Sequence, residues 1–311
     1  MRADARTIAV ERMRLGDHAF AHYADDDVRW EVPAVFDFRG LSRGEKVIVM
    51  MDPGCSADDA CERLAGGGAD DARDRGQLVF SSMRELISPR KSFTARRQLD
   101  RLRQETELAR HEGFAGLRTV IDMAWVDDLR MDVEGVMHRE KHADSLFETR
   151  QYAEIRTYDR RWFDPAVLEE MRVSHPVALL ERPGDLQAHH APGELYLIGD
   201  ADMATGDIFR AAVSVAFEAP PGRQALVDLT RLCFLSAGCA GDLLRLIGQT
   251  AACDKVVVRC RPPQAKILHR PRVMWIGGLV LEKTGDTRYR TTGPASSTPR
   301  RPAAGSGWRG S

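Results

Sequence analysis

Short apolar runs alternate with segments of helical periodicity along most of this chain, and this alternation restricts the folds open to it. Four runs in the first half have the length and composition of buried strands: Lys46–Met51, Gln77–Ser82, Leu117–Trp125 and Ala153–Asp159. Helical segments stand between or after them, at Phe93–His111, at Val136–Thr149 and after the helix-capping Asp164. Strands that alternate with helices are typical of a parallel sheet covered on both faces. We therefore predict a three-layer α/β domain.

The same alternation continues on a smaller scale in the second half. Predicted strands at Glu194–Gly199, Gln224–Thr230 and Lys255–Cys260 are each followed by a helical segment, which predicts a small α/β domain over residues 192–283. Between the halves, residues 183–191 belong to a stretch rich in Pro, Gly and His without any period, so we predict a linker there. Residues 284–311 have almost no aliphatic side chains, which predicts a disordered and mildly basic tail.

The charge balance and the cysteine pattern exclude several classes of protein. The chain has 45 Lys and Arg against 46 Asp and Glu, which does not fit a protein that coats a nucleic-acid backbone. There is no run of about twenty apolar residues and no signal peptide, so we predict neither a membrane span nor secretion. The six cysteines lack the two-residue spacing of zinc knuckles and redox motifs. We expect a cytoplasmic protein that binds neither DNA nor membranes.

Motifs for phosphate, metal or nucleophilic chemistry are missing from the places where they would be expected. The segment DPGCSADDA, which follows the first predicted strand, has no Lys to reach a phosphate and places acidic residues where the anion would sit. The glycines Gly66–Gly68 lead into an acidic segment that we read as a loop. His138 and His142 are four apart, but no Glu directly follows the first of them as in a zinc protease. We predict no catalytic residue, no metal site and no cofactor.

Four segments of the first half together resemble the MEDS sensory domain over residues 12–182: GDHAFAHY, GLSRGEKVIVMM, Val136–Phe147 and TYDRRWFDPAVLEEMRVSHP. This domain is a relative of the KaiC/RecA-type fold that has lost its phosphate loop, and it occurs in sensors of small hydrocarbon-like molecules. The family often has a Cys two residues before the Tyr of its YDRR motif, and Arg156 stands there in this chain. The ligand-site residues that the resemblance implies are His18, His22, Arg156, Tyr158, Asp159 and Arg160.

The second half resembles a STAS domain, the fold of anti-sigma factor antagonists. GELYLIGDADMATGDIF matches the opening strand and acidic loop, and QALVDLTRLCFLSAGCAGDLLRL matches the central strand, the switch loop and the helix after it. In switching members a partner kinase phosphorylates a Ser at the start of that helix. Here Ala237 occupies the phosphoacceptor position and Ser236 replaces the preceding Asp. The partner-binding positions that the resemblance implies are Asp200, Asp202, Ser236, Ala237 and Gly238.

Together the two resemblances imply a signal-responsive regulator of transcription that acts by protein–protein binding and catalyses no reaction. Its partner would be an anti-sigma factor of the histidine-kinase-like ATPase type, and a small hydrocarbon-like ligand would act on the first half. One alternative is a degenerate nucleotide-binding, ATPase-like protein, which DPGCSADDA argues against. The other is a decayed paralogue without a partner, which the altered switch loop and the lack of a clear closing helix after His269 favour.

Overall fold

The first half of the chain folds around a sheet of seven parallel strands. The computed structural model describes residues 6–64, 68–86, 94–128, 143–218, 224–250, 254–269 and 276–284. The strands of this sheet are β1 (Arg6–Ile8), β2 (His18–Tyr23), β3 (Lys46–Met50), β4 (Leu78–Ser81), β5 (Leu117–Asp122), β6 (Tyr152–Asp159) and β7 (Val177–Leu179). Their order across the sheet is β1-β7-β2-β6-β5-β3-β4, and the neighbouring strands pair in parallel.

Helices cover both faces of this sheet. They are α1 (Glu31–Ser42), α2 (Ala57–Leu64), α3 (Ala69–Asp74), α4 (Met83–Leu86), α5 (Ala95–His111), α6 (Trp125–Asp128), α7 (Asp144–Phe147) and α8 (Pro165–Ser174). Helices α1, α2 and α3 contribute to one apolar layer, through residues such as Phe36 and Leu64. Helices α4, α5, α7 and α8 contribute to the opposite layer, through residues such as Leu102 and Phe147. The three-layer α/β architecture expected from the sequence is therefore confirmed.

The strand order leaves a crevice at the carboxyl ends of two neighbouring central strands, β3 and β5. After β3 the chain continues through α2 and α3 to β4, on one side of β3. After β5 it continues to β6, on the other side. Connections that diverge in this way open a crevice at the carboxyl ends of the two strands, where open α/β sheets bind their ligands. The segment DPGCSADDA lies at this crevice because it follows β3.

The second half forms a smaller sheet with helices on one face. Its strands are β8 (Leu186–Ala191), β9 (Glu194–Ala201), β10 (Gln224–Leu235), β11 (Lys255–Cys260) and β12 (Leu279–Lys283), in the order β12-β11-β10-β9-β8. Only β8, among these five described strands, pairs antiparallel to its neighbour. The helices α9 (Gly206–Phe217), α10 (Ala237–Gln249) and α11 (Pro262–Leu268) share one apolar cluster with the sheet.

Two segments differ from the sequence-based prediction. The predicted linker over residues 183–191 contains β8, an edge strand that pairs with β9 through residues Leu186–Ala191. Three of its six side chains are polar and its last three residues are exposed, so it lacks the apolar alternation by which strands are detected. The acidic segment after Gly68, expected as a loop, forms α3 because Ala69 and Ala72 are buried against the sheet.

Several predictions fall partly or wholly outside the described residues. The helix Val136–Thr149 is described only from residue 143, and its last part forms α7. His138, His142 and the predicted tail beyond residue 284 lie outside the described residues. Beyond His269, the described strand β12 pairs in parallel with β11 and extends the second sheet.

Candidate functional site

The first candidate site is a group of polar side chains buried between β2, β6 and α8, which we call the His18 cluster: His18, Glu154, Arg156, Tyr158 and His175. Strands β2 and β6 are parallel neighbours, and His18 lies opposite Glu154 in their register. Because side chains alternate along a strand, Glu154, Arg156 and Tyr158 point to the same face of the sheet as His18. All five side chains are at most 2 % exposed.

The charges of the His18 cluster converge on one carboxylate. The Arg156 Nε donates to Glu154 Oε1 over 2.7 Å, and the His18 Nε2 lies 3.4 Å from the same oxygen. The Tyr152 hydroxyl donates to the other oxygen of Glu154 and lies 2.6 Å from the Thr119 hydroxyl. A carboxylate and a guanidinium are thus held together inside an apolar layer, where a charge without a partner would be costly.

Aromatic rings enclose these charges. The His18 ring stacks on Phe147, with ring centroids 4.6 Å apart and planes 11° apart, and lies 4.3 Å from the His175 ring. Tyr158 packs against Phe20 with centroids 5.0 Å apart. The arrangement combines apolar ring surface with a small number of fixed polar groups, which is the composition typical of small-molecule sites.

The structure separates the six ligand-site residues expected in the first half. His18, Arg156 and Tyr158 come together in the cluster. His22 lies further along the same face of β2, where burial lowers the pKa of its ring, while Glu181 raises it and Arg160 lowers it. Arg160 pairs with Glu181 over 3.6 Å, at a partly exposed position.

Asp159 points to the opposite face of the sheet from Tyr158, since the two are consecutive in a strand. Its carboxylate accepts two hydrogen bonds from the Arg161 guanidinium, over 2.6 Å and 2.9 Å. Arg161 also donates to Asp26 over 2.7 Å. Asp159, which is buried, therefore belongs to an ion-pair network that reaches the surface through Arg161 and Asp26, on the opposite face from the His18 cluster.

Two members of the cluster, Glu154 and His175, were not expected from the sequence. Glu154 could have been found, because a charged residue two positions before Arg156 in the same predicted strand lies on the same face as Arg156. His175 reaches the cluster from the end of α8, where its Nδ1 lies 2.7 Å from the Met171 carbonyl oxygen. No local sequence pattern predicts this long-range contact.

The second candidate site is a cavity of about 390 Å³ at the crevice beside the carboxyl end of β3. Arg29 lies at its wall and donates to Asp122 over 2.8 Å, with Asp52 3.4 Å away. The Tyr23 and Trp30 rings lie 5.8 Å and 5.3 Å from its guanidinium carbon. Burial raises the pKa of Asp122, while Arg29 lowers it.

The lining of this cavity is unsuited to a phosphate. Its acidic side chains outnumber its two arginines, and the guanidinium of Arg29 already faces carboxylates; the lining consists of Asp26, Arg29, Trp30, Asp52, Gly54, Cys55, Asp59, Glu62 and Arg63. Within the described parts of the chain, no three His, Cys, Asp or Glu side chains are grouped so as to hold a metal ion. The same parts contain no helix with the length and hydrophobicity needed to cross a bilayer.

The third candidate site is Phe234–Gly238, the segment expected from the sequence to be a switch loop and named accordingly, with the neighbouring β9–α9 turn. Ser236 is the N-cap of α10, and its Oγ accepts a hydrogen bond from the Cys239 N–H over 3.1 Å. Ala237 and Gly238 are the first, exposed residues of that helix. The Ser236 N–H donates to the Ala201 carbonyl oxygen over 2.8 Å, which joins the switch loop to the end of β9.

The two acidic residues of the β9–α9 turn have different roles. The Asp202 carboxylate accepts hydrogen bonds from the backbone N–H groups of Ala204 and Thr205 over 2.8 Å and 3.1 Å, so it shapes the turn. Asp200 is half-buried; burial raises the pKa of its carboxyl, a hydrogen bond from the Phe234 backbone lowers it, and Asp202 raises it. The structure therefore brings all five expected partner-binding positions to one end of the second sheet.

Apolar side chains are exposed at this same end. Met203 is 97 % exposed in the β9–α9 turn, and Phe234 and Ile208 are each 52 % exposed. Asp202 and Asp207 lie beside them in sequence. Exposed Met and Phe side chains are enriched at protein-binding surfaces.

Comparison with known proteins identifies the first half. A family model described as "MEDS: MEthanogen/methylotroph, DcmR Sensory domain" matches residues 17–176. No curated protein sequence matches the chain.

Two solved structures resemble the chain in fold. The flagellar accessory protein FlaH from Methanocaldococcus jannaschii has 11 % sequence identity and a TM-score of 0.37, and the match covers 59 % of this chain and 76 % of that protein. A KaiC-like protein from Pyrococcus horikoshii OT3 has 13 % identity and a TM-score of 0.39, over 64 % of this chain and 87 % of that protein.

Proposed function

We infer a sensory and regulatory function from the fact that this chain belongs to the MEDS family of sensory domains. In this proposal the first half binds a small, hydrocarbon-like molecule at the His18 cluster. The second half then presents the switch loop and its apolar surroundings to a protein partner. The chain itself catalyses no reaction. It acts by changing which other proteins its partner binds.

One observation carries the ligand part of the proposal: a carboxylate, a guanidinium and two imidazoles are buried together among aromatic rings. Charged groups in an apolar layer stabilise a fold less than apolar side chains of similar volume do, so their presence favours a functional role. The rings offer contact to the hydrocarbon part of a ligand. The charged and polar groups of the cluster would lie against a single polar group on it.

Ligand binding at the His18 cluster can be tested with a panel of one- to four-carbon hydrocarbons, alcohols and thiols, by saturation-transfer difference NMR on the full chain. We expect at least one probe to bind, and the substitution His18→Phe to weaken that binding by about tenfold or more, because the phenyl ring retains the stacking but loses the hydrogen-bonding nitrogens. The matched control is His190→Phe, at an exposed position of β8. A panel without any binder, or binding that is unchanged in His18→Phe, would contradict the proposal.

The partner part of the proposal follows the resemblance of the second half to a STAS domain. We propose that the partner is an anti-sigma factor of the histidine-kinase-like ATPase type and that the chain acts as an antagonist of it. The exposed Met203, Ile208 and Phe234 beside the switch loop support a binding surface there. Ala237 has no hydroxyl to accept a phosphate, and the Ser236 Oγ is engaged as a helix cap. Binding would therefore be controlled by the ligand of the first half and by exchange of partners.

A second candidate function is a degenerate nucleotide-binding protein that uses the crevice beside β3. The position of the cavity favours it, because a RecA-like nucleotide would lie at the same edge of the sheet. Its lining argues against it, since Asp52 and Asp59 would face the phosphates. An affinity for ATP in the micromolar range would favour this alternative over the sensory one.

A further inference from the structure

The two halves meet through a short segment of the first half that lies against the middle of β10. This segment is the 3₁₀ helix Val10–Arg12, between β1 and β2. The Arg12 Nη1 donates a hydrogen bond to the Thr230 carbonyl oxygen over 2.8 Å. Beside it, Ala9 and Leu180 of the first half form an apolar cluster with Ile198 of β9, against which Cys233 packs.

Strand β10 is irregular at the place where this contact is made. Its register with β9 shifts between Asp228 and Arg231, and again between Leu232 and Phe234. Such bulges interrupt the regular ladder of hydrogen bonds and redirect the strand. The carbonyl of Thr230, inside the first shift, accepts from Arg12. Only two residues separate Cys233 from Ser236, the N-cap of α10.

Two carboxyl groups, one from each half, are buried near this contact, and Asp200 acts electrostatically on Glu11. The Glu11 Oε2 and the Asp200 Oδ1 are both buried, and within the described residues neither atom has a hydrogen-bond partner. Burial raises the pKa of Glu11 from its ordinary 4.5; a backbone hydrogen bond lowers it, Asp200 raises it and Arg39 of α1 lowers it. Burial also raises the pKa of the Asp200 carboxyl from its ordinary 3.8.

Other charged and titratable groups act on Glu11, Asp200 and the neighbouring Cys233: Arg39 acts on Glu11, Asp202 acts on Asp200, and Arg12 and Arg261 act on Cys233. Cys233 holds its proton under neutral conditions, because burial and the nearby Glu11 raise the pKa of its thiol to about 11. Burial acts in the same direction on Glu11 and Asp200, since it favours the protonated form of both carboxyl groups.

We propose that the 3₁₀ helix Val10–Arg12 is the coupling joint between the sensory half and the switch loop, and that protonation of the Glu11–Asp200 pair tightens it. The proposal rests on the proposed function for its role, since it supplies the route by which the first half acts on the partner surface. Docking buries two carboxyl oxygens without partners, which favours the protonated, uncharged form in the docked state.

The direction of the pH effect follows from proton linkage. A carboxyl whose pKa is higher in the docked state than in the undocked state binds its proton more tightly when docked. The docked state is then fully favoured below the ordinary pKa of the group, and it is progressively weakened as the pH rises through the raised value. Each unit by which the two pKa values differ corresponds to about a tenfold change in the docking equilibrium.

Hydrogen–deuterium exchange on the full chain without ligand tests the joint. We expect the protection of the Leu229–Cys239 amides, corrected for intrinsic exchange rates, to fall several-fold between about pH 5 and about pH 8. The isosteric substitutions Glu11→Gln and Asp200→Asn each reduce the pH dependence of this protection. Together they remove it, and the protection of the double variant at every pH equals that of the wild type at about pH 5. The control Glu170→Gln, an exposed carboxyl of α8, keeps the wild-type profile.

Protection that does not change with pH in the wild type would contradict the proposed coupling joint. So would a pH dependence that persists in the double variant. Because no ligand is present, this experiment is independent of ligand binding at the His18 cluster. A chain with a proton-dependent joint that binds no probe would refute only the proposed function, and the reverse result would refute only the joint.

Discussion

We expect the substitution Gly199→Ala to destabilise the second domain by more than about 4 kcal/mol. Gly199 lies in β9 with φ at +100°, a conformation that side-chain-bearing residues rarely adopt. A Cβ at this position would overlap the Asp185 carbonyl oxygen and lie 2.8 Å from the Leu180 Cδ1. Relief requires a backbone shift that breaks the 3.0 Å hydrogen bond from the Asp200 N–H to the same carbonyl.

Urea unfolding followed by circular dichroism, together with hydrogen exchange over Leu186–Ala201, measures this effect. The matched control is Gly248→Ala in α10, where no heavy atom lies within 4 Å of the added Cβ. Alanine favours a helix more than glycine does, so we expect that control to stabilise the same domain by roughly 0.5–1 kcal/mol. Equal stability of the Gly199→Ala chain and the wild type would contradict the positive φ at Gly199 and its close approach to the Asp185 carbonyl oxygen.

The substitution Arg156→Met destabilises the first domain by about 3–5 kcal/mol, because it leaves the Glu154 carboxylate buried without its guanidinium. Both side chains are fully buried, and the Arg156 Nε lies 2.7 Å from Glu154 Oε1. Chemical denaturation monitored by tryptophan fluorescence provides the measurement, since Trp30, Trp125 and Trp162 all lie in this half. A cost below about 1 kcal/mol would show that the two charges are not held in an apolar interior.

A double-mutant cycle separates the ion pair from general packing. When Glu154→Gln is combined with Arg156→Met, no charge is left unpaired, and we expect the total cost to be less than the sum of the two single costs by about 1–3 kcal/mol. The control is Arg160→Met, which removes the partly exposed pair with Glu181. That change is expected to cost less than about 1 kcal/mol, since exposed ion pairs contribute little.

The central strands could be predicted from the sequence because they are buried on both faces. Strand β3 is an apolar run after Lys46, whereas β6 alternates apolar and aromatic residues with charged ones. The predicted Lys46–Met51 and Ala153–Asp159 agree with the observed Lys46–Met50 and Tyr152–Asp159 within one residue at each end. Strands β1 and β7 are only three residues long, which is too short to show a period. Strand β8 lies at an exposed edge and carries polar side chains.

The His18 cluster was predicted only in part. Strand geometry explains why Arg156 and Tyr158 belong to it and why Asp159 does not. Arg156 and Tyr158 are two residues apart in β6 and therefore share a face with Glu154. Asp159 is adjacent to Tyr158, so the same geometry places it on the other face, beside Arg161. His175 joins the cluster through the packing of α8 on the sheet, a tertiary contact that no local pattern contains.

The most direct test of the central claim, that this chain acts by presenting a surface to another protein, is capture of partners by the full chain from a lysate of its source organism with ATP present. We expect the wild type to retain an ATPase of the histidine-kinase-like class and to carry no phosphate afterwards, because Ala237 lacks a hydroxyl. The substitution Phe234→Glu should abolish capture, since it places a charge in the exposed apolar patch. The control Val280→Glu, at an exposed position of β12, should retain it.

Capture of that ATPase by the wild type and by Val280→Glu, together with its loss in Phe234→Glu, is the expected result. Absence of such an ATPase, equal capture by Phe234→Glu, or stoichiometric phosphate on the wild-type chain would contradict the claim.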